Sequence, residues 1–341
     1  MSVLIVGFGF VGSNAACLFS EKGYQVHAVD VNPRILDYVK EANVVVDRID
    51  ATNLDSLTEV VSKVKPKIIV HTAISPLADL FSQTIKVNLL SLSNTIELAR
   101  KYDARLIYLS SGAVYGQVEE KEEAISEDEP FGPVAPLREY DLPWAPIYCT
   151  TKRMGESLVE LAHKIYGLEA TILRLGLVYG QGDTLLNAGL TLLLRRALAK
   201  RPLLLSQGGD TFCPLVYVKD VADAILKVSL SQIKYDVFNI ACKKGYFMSE
   251  VVEAIKQILP DADIRVGPGI WPSRNTSIPR GVISWPTRRM LDISKAVELL
   301  GYSPRYSLYE GMLEYAAWMR RNWNLYSPSV FPFPDDQKGN I

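Results

Sequence analysis

The sequence predicts an α/β protein: a doubly wound parallel sheet with a smaller lobe toward the C-terminus. Two observations predict it. Short β-branched runs alternate with amphipathic helical runs along the first half of the chain, which is the pattern of successive βαβ units. The first strand also ends in a glycine turn, Gly7-Phe8-Gly9-Phe10-Val11-Gly12, with a helical run directly behind it.

Taken in order, residues 3–6 read as a strand, 13–22 as a helix and 25–29 as a second strand that ends in Asp30. In this context the glycines have separate tasks. Gly7 permits the tight turn, Gly9 lets backbone approach a pyrophosphate, and Gly12 lets the helix pack on the strand. The anion would rest on the helix N-terminus, where unpaired N–H groups and the dipole favour negative charge. Asp30 is placed to accept from the adenosine ribose and would repel a 2′-phosphate, so NAD is expected over NADP. Arg34 is the residue nearby that could receive such a phosphate.

The alternation continues with a strand at 44–46, then Asp50-Ala51 and a helix over 54–64. A strand at 67–70 follows, ending in His71-Thr72-Ala73, and then a long helix over 77–102 carrying Asn88. A fifth strand at 106–109 leads into Ser110, Ser111 and Gly112. Ligands of such sheets bind outside the carboxyl ends of the strands. Gly7, Asp30, Asp50, His71 and Ser111 all fall at those ends and are expected to line one crevice.

Residues 118–129 are acidic and 130–146 proline-rich, which reads as a long surface loop whose charges form a solvated face. A helix is expected over 148–166 and a sixth strand, containing Arg174, over 170–175. Beyond 179–182 the alternation loosens into a helix at 185–199 and a strand and helix around Asp220. A strand at 237–240 is expected to return to the main sheet. The division is therefore a Rossmann-type dinucleotide-binding domain over 1–175 with a return segment near 213–241. Residues 176–212 and 242–341 would form the substrate lobe.

Tyr148 and Lys152 lie four apart, on one helix face and one turn from each other. A phenol titrates near pH 10, and a neighbouring ammonium favours its ionised form. Ser111 could hydrogen-bond the same substrate oxygen. Together the three suit proton transfer in an alcohol–ketone interconversion. Such chemistry also needs a hydride acceptor, which no side chain provides.

Bulk properties exclude other classes. The 341 residues are 48% hydrophobic and 22% charged, with a formal net charge of -1 and no basic stripe, so nucleic acid is not an expected partner. The longest apolar runs are too short to span a bilayer, and the chain enters a strand without a leader pattern. Four scattered cysteines suit reduced thiols in a cytoplasm, and three distant histidines argue against a metal site.

These residues resemble the extended short-chain dehydrogenase/reductases of the NAD-dependent epimerase/dehydratase type. The likeness runs through the glycine turn, Asp30, Asp50, Asn88, residues 110–116, Tyr148 with Lys152, Arg174, residues 179–180 and Asp220. It continues through residues 238–240, 291–295 and 300–304. It implies that Tyr148 is the acid/base, that Lys152 lowers its pKa and holds the nicotinamide ribose, and that Ser111 is the active-site hydroxyl. The cofactor set it implies is Gly7, Phe8, Gly9, Phe10, Val11, Gly12, Asp30, Arg34, Asp50, Ala51, His71, Ala73, Asn88, Ser110, Tyr148 and Lys152. The substrate set is Ser111, Gly112, Tyr148 and Arg174, and beyond the resemblance Arg288 or Arg289 could supply a replacement charge for a diphosphate from the C-terminal lobe.

Departures narrow the reaction. The family's 4,6-dehydratases follow the active-site hydroxyl with Asp-Glu, and its decarboxylases place Glu at the second of those positions. Here Gly112 and Ala113 stand there, which disfavours both chemistries. The expected function is epimerisation of a nucleotide sugar at C4. Leu177 and Cys213 occupy positions where related epimerases carry phosphate-gripping Asn and Arg. They keep open an NAD-dependent dehydrogenase of a smaller polyol, sugar acid or hydroxy acid. A non-catalytic NAD-sensing protein is the third reading. The family also implies a homodimer through the helices over 77–102 and 148–166.

Overall fold

The computed structural model describes residues 1–33, 37–75, 81–119, 121–134, 145–182, 188–270 and 289–325. Among these, seven strands form one parallel sheet: β1 (Ser2–Val6), β2 (Gln25–Asp30), β3 (Val44–Arg48), β4 (Ile68–His71), β5 (Arg105–Ser111), β6 (Ala170–Leu175) and β7 (Tyr235–Ile240). Their order is β7-β6-β5-β4-β1-β2-β3, so the chain starts in the middle and winds outward in both directions. Strands β4 and β6 are buried at every residue, as a sheet covered on both faces requires.

The longer helices among the described residues are α1 (Phe10–Glu21), α2 (Leu54–Val64), α3 (Ser91–Lys101), α4 (Ala145–Tyr166), α5 (Ala188–Leu198), α6 (Val218–Leu230), α7 (Met248–Ile258), α8 (Ser294–Leu300) and α9 (Leu308–Arg321). Strand side chains alternate between faces, and the core divides accordingly. Val3 and Ile5 join α1 and α6 in one cluster, while Leu4 and Val6 join α2, α3 and α4 in the other.

The expected helix over 77–102 is interrupted. A short helix, Phe81–Ile85, runs into a π turn at Lys86–Leu90 before α3 begins; residues 77–80 lie outside the described residues. The helix carrying Tyr148 starts earlier than its pattern suggests, because Pro146 needs no N–H partner in a first turn. Strand β5 extends through Ser110 and Ser111, which pair in register with Arg174 and Leu175 of β6.

Strand β7 and helix α6 return to the main sheet and the α1 layer, and small strand pairs build the rest. Leu177–Tyr179 pairs in parallel with Leu215–Tyr217, Leu203–Leu205 with Ile264–Val266, and Phe212–Cys213 runs antiparallel to Tyr246–Phe247. Buried polar side chains fasten these parts to the sheet. Asp220 accepts from the backbone N–H groups of Arg305 (2.9 Å) and Tyr306 (3.2 Å). Asn239, fully buried, accepts from Tyr115 Oη at 2.8 Å and donates to the carbonyls of Ile125 and Asp292.

The acidic loop is not simply a solvated face. Ile125 bridges to Leu291, Glu127 accepts from the Asn239 N–H, and Glu129 pairs with Arg289. These backbone groups leave water and need partners, which the loop supplies.

Asn239→Ala removes three buried hydrogen bonds and leaves two carbonyls without their donor. We expect a loss of about 2–4 kcal/mol, read as a lower thermal-unfolding midpoint, with faster proteolysis in the 118–129 loop.

Candidate active site

Because all seven strands are parallel, their carboxyl ends share one edge, and the glycine turn opens there. Gly7 has φ +96°, and a Cβ added to it would lie 2.5 Å from the Ala73 nitrogen. At Gly12 a Cβ would meet the Gly7 carbonyl oxygen at 2.0 Å, whereas at Gly9 it would meet nothing within 4 Å. So Gly7 and Gly12 are glycines because protein packs against them, and Gly9 faces open ground. Helix α1 begins at Phe10, directly behind that space, with no acidic residue in its first turn. The free first-turn N–H groups and the gap before Gly9 fit a pyrophosphate.

Asp30 ends β2. Its Oδ2 accepts from the Phe8 N–H at 2.8 Å and its Oδ1 from Asn32 N–H at 2.8 Å, which fixes the carboxylate beside the turn. The Phe8 ring itself is buried, and Phe10 and Val11 are half-buried. Asp50 is exposed and accepts from Thr52 N–H; Ala51 is buried and its carbonyl accepts from Asn94. Ala73 is half-buried and donates its N–H to the Val6 carbonyl. Arg34 and Arg288 lie outside the described residues.

The second half of the site comes from β5 and α4. The Ser111 hydroxyl, at the end of β5, hydrogen-bonds the partly buried Tyr148 side chain of α4 and accepts from Ala113 N–H. Gly112 is buried in the single turn Gly112–Tyr115 that follows. Lys152, one turn past Tyr148, is 5% exposed. It donates to the Leu109 carbonyl, and its Nζ sits 4.9 Å from the centre of the Tyr108 ring and 5.9 Å from that of Tyr148.

The titrations differ from the sequence expectation in an informative way. Burial holds the Tyr148 phenol above its ordinary value, and the hydrogen bond with Ser111 only partly opposes this. Burial pulls Lys152 down to about 7, with Glu156 acting in the opposite sense. Both shifts oppose a standing phenolate in the ligand-free protein.

Several residues expected at the ligand also have partners inside the protein. The His71 imidazole is fully buried, with Nδ1 3.1 Å from Thr95 Oγ1 and Nε2 3.5 Å from Ser91 Oγ, and burial lowers its pKa to about 3. It is a neutral core histidine. Asn88, carried on the π turn, accepts from Ser75 N–H at 2.8 Å and donates to Thr151 Oγ1 at 3.0 Å. It ties the loop after β4 to α4. The Ser110 hydroxyl donates to Glu156.

Arg174 and Arg289 are likewise engaged inside the protein. Arg174 grips both Glu156 oxygens, with Nη2 2.8 Å from Oε2, and donates to Tyr115 Oη and the Glu127 carbonyl. Arg289 holds Glu129 through two bonds, of 2.8 and 3.0 Å, and donates to the carbonyl of Glu123. Both guanidinium groups are thus engaged with carboxylates within the protein.

Glu156, Thr72 and Tyr108 were not singled out by sequence. Glu156 was legible in principle, standing four residues past Lys152 on the same helix stripe. Thr72, whose Oγ1 donates to the Gly7 carbonyl at 2.6 Å, carries no sequence signal. Among the described residues no His/Cys/Asp/Glu group could hold a metal ion, and no helix is long and apolar enough to cross a membrane.

Unfolded, Lys152 takes up a proton below about 10.5; folded, below about 7. Between those values the unfolded chain holds the extra proton, so this group makes stability rise with pH across that window. We expect Lys152→Met to flatten that slope and to raise the melting temperature at pH 8, measured by scanning fluorimetry from pH 7 to 10.

Comparison with known proteins agrees with this geometry. Residues 3–241 match the model of the NAD dependent epimerase/dehydratase family. A putative UDP-glucose 4-epimerase of Methanocaldococcus jannaschii is 29% identical over 336 residues, covering 94% of this chain and 99% of that protein. UDP-glucuronic acid decarboxylase 6 of Arabidopsis thaliana is 24% identical, covering 92% and 87%. The crystal structure of a Thermotoga maritima UDP-glucose 4-epimerase with UDP-glucose superposes with a TM-score of 0.79 at 25% identity, over 95% of this chain and all of that one. With a glycine turn, an acid-ended second strand and a Ser111/Tyr148/Lys152 cluster on one sheet edge, the chain is a member of the NAD-dependent epimerase/dehydratase family, an enzyme of the extended short-chain dehydrogenase/reductase type.

Proposed function

We propose that this enzyme is a sugar epimerase that inverts C4 of a nucleotide sugar. The observation that carries this reading is the Ser111–Tyr148 hydrogen bond with Lys152 one turn away, at the mouth of the glycine-turn crevice. The neighbouring positions, Gly112 and Ala113, bring no carboxylate. Elimination of water needs a further acid, and nothing at these two positions supplies one.

The glycine turn, the N-terminus of α1 and Asp30 would hold NAD, which would supply the hydride acceptor. The residues of this chain do the rest. Ser111 orients the substrate hydroxyl against Tyr148 Oη. Tyr148 takes that proton and later returns it, and Lys152 stabilises the phenolate while it exists. Relatives whose names specify UDP-glucose support a nucleotide sugar as the substrate.

The second reading, a net dehydrogenase of a smaller hydroxyl compound, draws on Leu177 and Cys213. Cys213 is fully buried in its short strand, so that position contributes no charge to a diphosphate. The two readings separate on one measurement. An epimerase incubated with UDP-glucose or UDP-galactose forms the other sugar, seen by NMR, without accumulation of NADH. Stoichiometric NADH formation instead would sink the epimerase reading.

We also propose a homodimer through α3 and α4. Leu161, Ile165 and Tyr166 of α4 are exposed, as are Phe81 and Leu90 on the helical segment leading into α3. Residues 154, 161 and 165 repeat at helical spacing along one stripe. Light scattering should give twice the monomer mass, and Leu161→Glu should shift it toward the monomer.

For catalysis, Tyr148→Phe should lower kcat by about 10²- to 10⁴-fold with little change in NAD affinity. Steady-state kinetics and calorimetry check both halves. A Tyr148→Phe enzyme as active as its parent would remove the acid/base assignment.

A further inference from the structure

Beneath the reactive pair lies a buried ion pair that proton transfer itself does not require. Glu156 stands one turn past Lys152 on α4 and Arg174 points at it from β6; both side chains are 7% exposed. Arg174 reaches the two Glu156 oxygens at 2.8 to 3.2 Å, and Ser110 donates a further hydrogen bond. Well-packed apolar residues serve the interior at least as well as such a pair. Its location beside a buried lysine therefore calls for another reason.

We propose that the Glu156–Arg174 pair is the counter-charge that sets the protonation of Lys152 and, through it, the readiness of Tyr148 to give up its proton. This rests on the reading of Tyr148 and Lys152 as the acid/base pair, and it makes Glu156 and Arg174 positioning residues.

The surroundings of Lys152 leave Glu156 in that role. Lys152 faces Tyr148 and Glu156 on its own helix, the neutral His71 from β4, and Tyr108 from β5. Glu156 in turn faces Ser110 and Tyr108 of β5, Arg174 of β6 and Tyr235 of β7. A bare carboxylate one turn away would hold the lysine fully charged. Burial lowers the Lys152 value to about 7 and Glu156 opposes that shift; a carboxylate shared with Arg174 attracts the lysine less than a bare one would.

The test uses the ligand-free protein labelled with ¹³C-lysine, in which the Lys152 resonance is assigned by its loss in Lys152→Met and followed through pH. Glu156→Gln should lower the Lys152 midpoint by about one pH unit and Arg174→Met should raise it by a similar amount. The doubly substituted protein, which removes both charges together and is expected to fold, should show a smaller downward shift. A purely structural pair would move both single variants in the same direction or neither. Either result overturns the proposal, as does an unmoved midpoint in the double variant should a single variant fail to fold. An active Tyr148→Phe enzyme would instead overturn the acid/base reading beneath it, so the two failures are distinct.

Discussion

An ammonium removed from water must be held by something, and Lys152 is held by the Leu109 carbonyl, the face of the Tyr108 ring and the field of Glu156. Two of these come from β5 and one from α4. The carbonyl belongs to β5, the ring to the middle of the same strand, and the carboxylate to the next turn of α4. Burial without full compensation leaves the lysine close to neutrality and the tyrosine protonated, a state that can respond to whatever enters the crevice. A group held at a disadvantage in the folded state is typical of functional sites, where activity and stability pull apart.

Much of what marks the chain as a family member turns out to be carpentry. Asp220 fastens the segment before α9 to α6, and Asn239 fastens the acidic loop and the segment at Leu291–Asp292 to β7. Arg174 closes on Glu156 and Tyr115. Each is a polar group that the fold buries and fully engages, as buried polar groups require. The chemistry we propose rests on far fewer residues, gathered where β5 meets α4.

The sheet was legible because parallel strands buried on both faces leave unmistakable apolar runs, and because glycines, the acid after β2 and the Tyr148–Lys152 spacing follow from local geometry. Ser111 and Tyr148 meet as their positions in the alternation imply. Side-chain direction was not legible. His71 ends β4 at the crevice edge, yet its ring turns inward to Thr95, since strand residues alternate between faces and spacing alone does not say which face has room. Arginine spacing likewise gave no hint that Arg174 and Arg289 each face a carboxylate brought from a distant segment. Such long-range pairings are decided by tertiary packing.

The π turn at Lys86–Leu90 carries a consequence for how this helical layer can vary. It holds one residue more than a regular helix needs, and that surplus lets Asn88 reach both Ser75 and Thr151. Deleting a single residue there would restore ordinary winding downstream. Because the turn absorbs its extra residue within itself, the helices on either side would keep nearly the same faces, but Asn88 would lose its reach and Ser75 its anchor. Insertions and deletions in homologous chains should therefore avoid this one turn even though helices on either side of it tolerate substitution.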